Sequence, residues 1–447
     1  LIRIGGFRQK PWILAGKKEA VSMLTAIVGI NWGDEGKGRM VDLLGSRYDI
    51  IVRYQGGNNA GHTVVNDKGK FILNLLPSGV LRHDTVNVMG PGMVIDIAHL
   101  CKEIGGLAEK GIKITPDNLK ISHAATICFP YHVRQDILEE ERLAERKYGS
   151  TRRGIAPVYA DKYMKKGIRM GDLLFPDTLR EKLEGIVEWK NLMIHGGYHD
   201  QAIDTDEILD WMRVHGEPLK PFICDVSDYL ENAVGENKNI LFEAQLGALR
   251  DIDYGIYPYT TSSTTLASFA TTGAGIPGAK PDNVIGIMKA YSSCVGEGPF
   301  VAEFFGEEGS RLREAGGEYG AATGRPRRVG AFDIPASRYG IKVQGADEIA
   351  LTKLDVMSYM EKIPVCAAYE IDGEKTDRFP TGDRLLRAKP VIEFLDGWKC
   401  DISSCRRKED LPAAAAAYIR FIEETTGCRI RYVSVGAERD AYIDMEG

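Results

Sequence analysis

Long apolar runs are missing from these 447 residues: nowhere do about 18 apolar side chains follow one another, the length a helix needs to span a bilayer. The beginning of the sequence also lacks an apolar stretch followed by a small-residue cleavage pattern. Neither membrane insertion nor secretion is therefore expected, and a cytoplasmic location is. Cysteine is sparse, and its eight copies form no CxxC pair and no His/Cys group at zinc spacing, so they read as reduced, mostly structural thiols. Positive charge is not in excess. With 57 Lys and Arg against 63 Asp and Glu, the net charge of -6 excludes a protein that grips nucleic acid by bulk charge, while local basic clusters still allow small anionic substrates. Internal repeats and low-complexity linkers are absent too, which leaves no clean domain boundary.

Hydrophobic residues at 44% and charged residues at 27% suit a globular enzyme. Glycine is abundant: 50 copies, about 11% against about 7% ordinarily, imply many tight turns, some of them close to ligands. At roughly 150 residues per domain the length admits about three domains or one large α/β unit with insertions. The first 22 residues are basic and without period, and Met23 directly precedes the first strong strand. Met23 is expected to be the native start, with 1–22 an extension outside the fold and 23–447 a single domain.

Apolar, β-branched runs at 24–30, 49–54, 85–90, 239–243, 283–288, 349–354, 365–369 and 430–435 read as buried strands. Helical spacing recurs at 94–111, 130–147, 177–193 and 409–427, the last with a stop glycine at Gly427. This alternation predicts an α/β fold with a large, mainly parallel central sheet flanked by helices. Residues of about 145–235 carry few strand signals and read as a helical insertion, and 275–283 as a loop.

The first strand runs into Asn31-Trp32-Gly33-Asp34-Glu35-Gly36-Lys37-Gly38-Arg39, ahead of an amphipathic stretch. A strand, a glycine-rich turn with a lysine, and a helix N-terminus present backbone N–H groups and a cation to phosphate, as in P-loop NTPases. It is not a Walker A loop, because no hydroxyl residue follows Lys37 and two carboxylates sit inside the turn. An acid there repels phosphate unless it binds Mg²⁺ or takes a proton in the reaction; the plainer reading is an ordinary glycine turn. A second loop, Gln55-Gly56-Gly57-Asn58-Asn59-Ala60-Gly61-His62-Thr63, also follows an apolar strand, and open α/β sheets place ligands at such loops. His62 is either a functional imidazole there or a packing histidine.

Further on, Thr323-Gly324-Arg325-Pro326-Arg327-Arg328 puts three guanidiniums beside a glycine, suited to a carboxylate or phosphate, or else to a solvated charge run. Thr352-Lys353-Leu354-Asp355 ends a strand and matches the (N/T)KxD pattern that reads guanine N1–H and its 2-amino group, although four residues also recur by chance. The stretch from Asp251 to Thr265 is rich in hydroxyls that can serve a sugar phosphate or a purine edge, or form a polar loop.

Together, WGDEGKG (32–38), NNAGHT (58–63), RRGIAPVYADK (152–162), DIDYGIYPYTTSS (251–263), ATGRPRR (322–328) and TKLD (352–355) closely resemble the adenylosuccinate synthetase family, in the family's order and from about Met23 to Arg439. The resemblance implies GTP-dependent ligation of IMP and L-aspartate to adenylosuccinate, with GDP and phosphate released, through a 6-phosphoryl-IMP intermediate. It assigns catalysis to Asp34, His62, Lys37 and Gln245, and Mg²⁺ to Asp34 and the Gly61 carbonyl. GTP falls to Gly33, Glu35, Gly36, Gly38, Arg39, Thr63, Arg327, Lys353, Leu354, Asp355, Ser434, Val435 and Gly436. IMP falls to Asn59, Ala60, Thr151, Thr261 and Arg325, with Lys165 reaching the partner's IMP site in a homodimer. Aspartate falls to the loop Ala321, Ala322, Thr323, Gly324, Arg325 and Arg327. No nucleic-acid or membrane partner is implied.

The chain departs from the family's pattern at four places. Lys165 stands where an arginine is usual, exchanging a fork for a point charge. Ser150-Thr151-Arg152-Arg153-Gly154 replaces TTGRG, Arg39 replaces a lysine, and Glu243-Ala244-Gln245-Leu246-Gly247 replaces EGAQG, which leaves the placement of Gln245 open by one residue. Two other readings are a related ligase acting on a different purine nucleotide and a GTP-binding regulatory module; the latter has no need of the 322–328 cluster or of the Asp34/His62 pair.

Overall fold

The computed structural model describes residues 22–59, 61–66, 69–320, 324–380 and 382–446. Residues 1–21, Ala60, Ala321, Ala322 and Thr323 lie outside them, and with them fall the expected N-terminal extension and part of the expected IMP and aspartate contacts. The chain is built around a ten-stranded sheet. Across it the strands run Tyr442–Asp444, Arg429–Ser434, Glu348–Thr352, Asn283–Lys289, Leu24–Gly29, Ile240–Glu243, Ile50–Arg53, Val86–Met89, Leu119–Ser122 and Ile223–Cys224. All neighbours are parallel except the terminal strand Tyr442–Asp444, which pairs antiparallel with Arg429–Ser434. Leu24–Gly29 is buried along its whole length, as an apolar run covered on both faces must be.

The sequence expectation of a mainly parallel, helix-flanked sheet holds, and seven of the eight expected runs enter the ten-stranded sheet. The eighth, 365–369, forms part of Lys362–Ile371 in a separate four-stranded sheet, with antiparallel partners Glu374–Thr376 and Lys389–Asp396. The reason is local: Asp372 (φ 56°) and Gly373 (φ 87°) make a two-residue hairpin turn, which returns the chain antiparallel rather than through a crossover helix. The 145–235 region holds the helices Ile155–Tyr163, Pro176–Ile194, Thr205–Gly216 and Val226–Gly235, but it also supplies the sheet's edge strand Ile223–Cys224. It is thus joined to the sheet as well as packed on it.

Helix ends follow their capping chemistry. Asp96 caps Ile97–Glu109 by accepting from His99 N–H, and Gly427, in the left-handed region at φ 70°, ends Ala413–Thr426 as expected. Among the described residues no helix is long and apolar enough to cross a membrane. The helix Ile334–Gln344 lies directly on the central strand's end, and a Cβ on Gly340 would stand 1.9 Å from the Ile30 carbonyl oxygen. Gly340→Ala is therefore expected to destabilise the fold by about 1–3 kcal/mol, measured by chemical denaturation. An unchanged midpoint would show that this helix is free to move away from the strand.

Candidate active site

The carboxyl ends of Leu24–Gly29, Ile240–Glu243, Ile50–Arg53 and Glu348–Thr352 converge on one face, the usual ligand position in an open α/β sheet. The first turn is held from within. Glu35 accepts from Gly33 N–H at 2.7 Å and from Asn31 N–H at 3.2 Å, and its other oxygen accepts from Lys37 Nζ at 2.7 Å. Glu35 and Lys37 are both buried, so their charges cancel inside the turn. Gly36 (φ 103°) then opens the helix Lys37–Leu44. Asp34 points the other way, with left-handed backbone at φ 59° and its carboxylate 3.0 Å from Arg327 Nη2.

His62 begins the strand His62–Asn66 and is buried against Glu243 at the end of its own strand, with Nδ1 2.5 Å from Glu243 Oε1. Ser78 fixes that carboxylate further, donating from its N–H at 2.8 Å and its Oγ at 2.6 Å. Burial pushes the His62 imidazole below its ordinary range despite the facing carboxylate. Burial acts upward on Glu243, but His62, Arg53 and Ser78 outweigh it and hold the carboxyl low. A neutral imidazole donating through Nδ1 to an ionised Glu243 satisfies both directions, and it leaves Nε2, without a partner among the described residues, for a ligand. Gly38 makes the approach possible: a Cβ there would stand 2.8 Å from His62 Cβ.

Beside this pair, Gln245 Nε2 donates to the Gly57 carbonyl and to Asn59 Oδ1, each at 3.0 Å, while Gln245 Oε1 and Thr261 Oγ1 are buried without partners among the described residues. Buried polar atoms are rarely left unpaired in a finished protein, so these two are open to a ligand's hydrogen bonds. On the other flank, Lys353 (φ 63°) donates to the Gly316 carbonyl at 2.6 Å, and Asp355 Oδ1 is buried without a partner among the described residues. Burial raises Asp355 and lowers Lys353 from their ordinary values. Thr352 Oγ1 donates to the Glu35 carbonyl at 2.7 Å, tying this corner to the first turn. Leu354 is core, and Val435 is buried beside Ser434 and Gly436.

Other expected contacts are placed differently. Arg39 is committed to the C-terminal loop, donating to Ser434 Oγ and the Gly436 carbonyl at 2.6 Å each, so it braces that loop rather than standing free for phosphate. Arg325 is exposed, 3.6 Å from Glu297, next to Gly324 at φ 65°. Thr151 and Lys165 are exposed near the two ends of Ile155–Tyr163, and no side-chain hydrogen bond or ion pair joins them to the cluster among the described residues. Gly61 and Thr63 flank His62 on the same hairpin.

The family model for adenylosuccinate synthetase matches residues 26–443. The chain belongs to the adenylosuccinate synthetase family. It is 45% identical over 421 residues to the synthetase of Caldanaerobacter subterraneus subsp. tengcongensis, covering 94% of this chain and 98% of the relative. The Streptococcus gordonii synthetase is 44% identical over 415 residues, covering 93% and 96%. The solved, fully ligated adenylosuccinate synthetase of Plasmodium falciparum superposes with a TM-score of 0.88 at 36% identity, covering 94% of this chain and 99% of that one. A cyanophage S-2L succinoaminodeoxyadenylate synthetase shares the fold at a TM-score of 0.62 and 18% identity over 95% and 96% of the two chains.

Glu243, Ser78, Lys289 and Glu318 were not legible as site residues. Glu318 is fully buried and accepts from Lys289 Nζ at 2.7 Å, Tyr291 OH at 2.5 Å and Arg327 Nη1 at 2.9 Å. Burial acts upward on it, yet Lys289 and Arg327 bring its carboxyl down to about 2. The only sequence signal for Glu243 was a carboxylate closing a buried apolar strand. Because Glu243 orients His62, Glu243→Gln is expected to lower turnover by about 10²-fold with the KM for GTP little changed, in steady-state kinetics on a variant shown to fold by circular dichroism. Full turnover in a folded variant would show that His62 needs no such partner.

Proposed function

We propose that this chain catalyses the GTP-dependent ligation of IMP and L-aspartate, giving adenylosuccinate, GDP and phosphate. Family membership across 26–443 carries this reading, and the convergence of Asp34, His62 and Gln245 on one face supports it. The 6-oxo group of IMP is a poor leaving group and must first be activated. Asp34 takes the N1 proton, O6 attacks the γ-phosphorus, and the bond to the β-phosphate oxygen breaks to release GDP. The aspartate amine then attacks C6, phosphate departs from that carbon, and the amine gives up its proton to solvent.

In this reading His62 donates through Nε2 to the transferring phosphoryl oxygens once their negative charge favours the imidazolium, with Glu243 holding Nδ1. Lys37, already neutralised by Glu35, orients the turn as well as facing phosphate. Arg327 leaves Asp34 for substrate while keeping Glu318. Asn59, Gln245 and Thr261 face IMP, Asp355 accepts from guanine, and Arg325 with the 321–324 loop receives aspartate. Asp34, partly exposed and 3.0 Å from Arg327, together with the Gly61 carbonyl and substrate phosphates offers oxygen ligands of the kind magnesium takes. Asp34 and Gly61 would hold the ion, whose chemistry is to offset charge on the phosphoryl oxygens. A cytoplasmic location follows from the purine-nucleotide reaction.

An ultraviolet difference spectrum of the protein with IMP, GTP, Mg²⁺ and aspartate tests the reaction, with ATP in place of GTP as control. The adenylosuccinate chromophore is expected with GTP only, and Asp34→Asn is expected to reduce its rate by about 10²–10⁴-fold while nucleotide binding persists. No signal from the wild-type protein would reject the reaction, and full activity of the variant would reject Asp34 as base. The exposed Tyr163 and Met164 beside Lys165 support a homodimer in which Lys165 reaches the partner's IMP. Sedimentation with IMP present is expected to give a dimer, and a monomer alone would remove this role for Lys165.

A further inference from the structure

Leu246 stands outside the hydrophobic clusters of the described residues. Its backbone is left-handed at φ 63°, a region that a branched side chain enters only under constraint. The constraint is visible: its carbonyl oxygen lies 2.4 Å from where a Cβ on Gly29 would be, and its Cα lies 3.1 Å from where one on Gly33 would be. Gly29 at the end of the central strand and Gly33 in the first turn thus make room for this backbone. Glycine or asparagine would satisfy such a position with less strain. A leucine there needs a use for its side chain, and the core does not provide one. Every other residue of 240–250 is buried, but Leu246 is only partly buried and joins none of the hydrophobic clusters of the described residues.

The side chain runs alongside Gly33, with Cδ2 3.5 Å from that virtual Cβ, one residue from Asp34 and one from Gln245. In the sheet its strand lies on the far side of Leu24–Gly29 from Glu348–Thr352, the strand that leads into Lys353 and Asp355. An apolar surface in this position faces the mononucleotide rather than the guanine corner. We infer that Leu246 is a specificity-determining residue that forms the apolar wall of the site for the mononucleotide's purine base, with its strain held in place by the glycine-lined turn.

The inference rests on the proposed use of IMP and adds that Leu246 contacts the base and not the ribose phosphate. Calorimetric titration of the full chain with IMP and, separately, with ribose 5-phosphate tests it in wild type, Leu246→Gly and Leu246→Asn, with melting temperatures alongside. Both variants are expected to bind IMP about tenfold more weakly, to bind ribose 5-phosphate as wild type does, and to melt no lower, because the strain is relieved. If IMP affinity is unchanged, or if both ligands weaken together in variants that melt lower, Leu246 is a structural residue and the inference falls while the reaction stands. If wild type binds no IMP, the functional reading falls and takes this inference with it.

Discussion

A carboxylate inside a phosphate-type turn opposes the anion that such a turn attracts, and Glu35 removes the conflict by facing inward. It accepts from two N–H groups of its own turn and from Lys37, so a buried anion and a buried cation neutralise each other within a few residues. Removing either partner alone would strand the other charge in the interior, which is the costly direction for a buried pair. The turn's shape is therefore fixed before any ligand arrives, and that shape turns Asp34 outward. Thr352 then ties the Lys353–Asp355 corner to the Glu35 carbonyl, and Arg39 ties the following helix to the C-terminal loop. These strand-end loops are thus referenced to one rigid element.

Arg327 shows how a charge can be kept available. It bridges Glu318, which is buried among Lys289, Tyr291 and Arg327, and Asp34, which retains solvent access. The two halves of the bridge are unequal: a fully desolvated, multiply bonded carboxylate holds its partner far more firmly than a partly hydrated one. An incoming anion would compete against the weaker half. The guanidinium could then exchange Asp34 for that anion without losing its anchor, and the same exchange would free Asp34.

Much of the fold and site was legible where the information is local. The strand–turn–helix around Asp34, the Gly56–Thr63 loop and the Thr352–Asp355 ending are contiguous in sequence, and each appears at a strand end of the parallel sheet. Partnerships across the chain were not legible: Glu243 meets His62 over 181 positions, and Lys289 meets Glu318 over 29, with no periodicity to announce either. Arg39 illustrates a second limit. The family resemblance assigns Arg39 to GTP, while the structure also shows it bonded to Ser434 Oγ and the Gly436 carbonyl, a role that a residue 395 positions away does not announce. The 365–369 strand was assigned to the main sheet because apolar character carries no record of which sheet buries it, although Asp372-Gly373 was a hairpin signal close at hand.

Strain is distributed in the same functional pattern. Asp34, Leu246 and Lys353 all adopt left-handed backbone although none is glycine, and all three occupy the sheet's ligand-facing end. Each is held there by neighbours it does not control: Asp34 by the Glu35-braced turn, Leu246 by the glycines beneath it, Lys353 by the Gly316 carbonyl its Nζ must reach. Conformations of this kind persist only where the surroundings over-determine them. The ten-stranded sheet provides that excess, because its central strands are covered on both faces and cannot yield. The size of the scaffold and the strain at its edge are in this sense one property, since a smaller or looser sheet would let these three residues relax out of the positions in which they face a ligand.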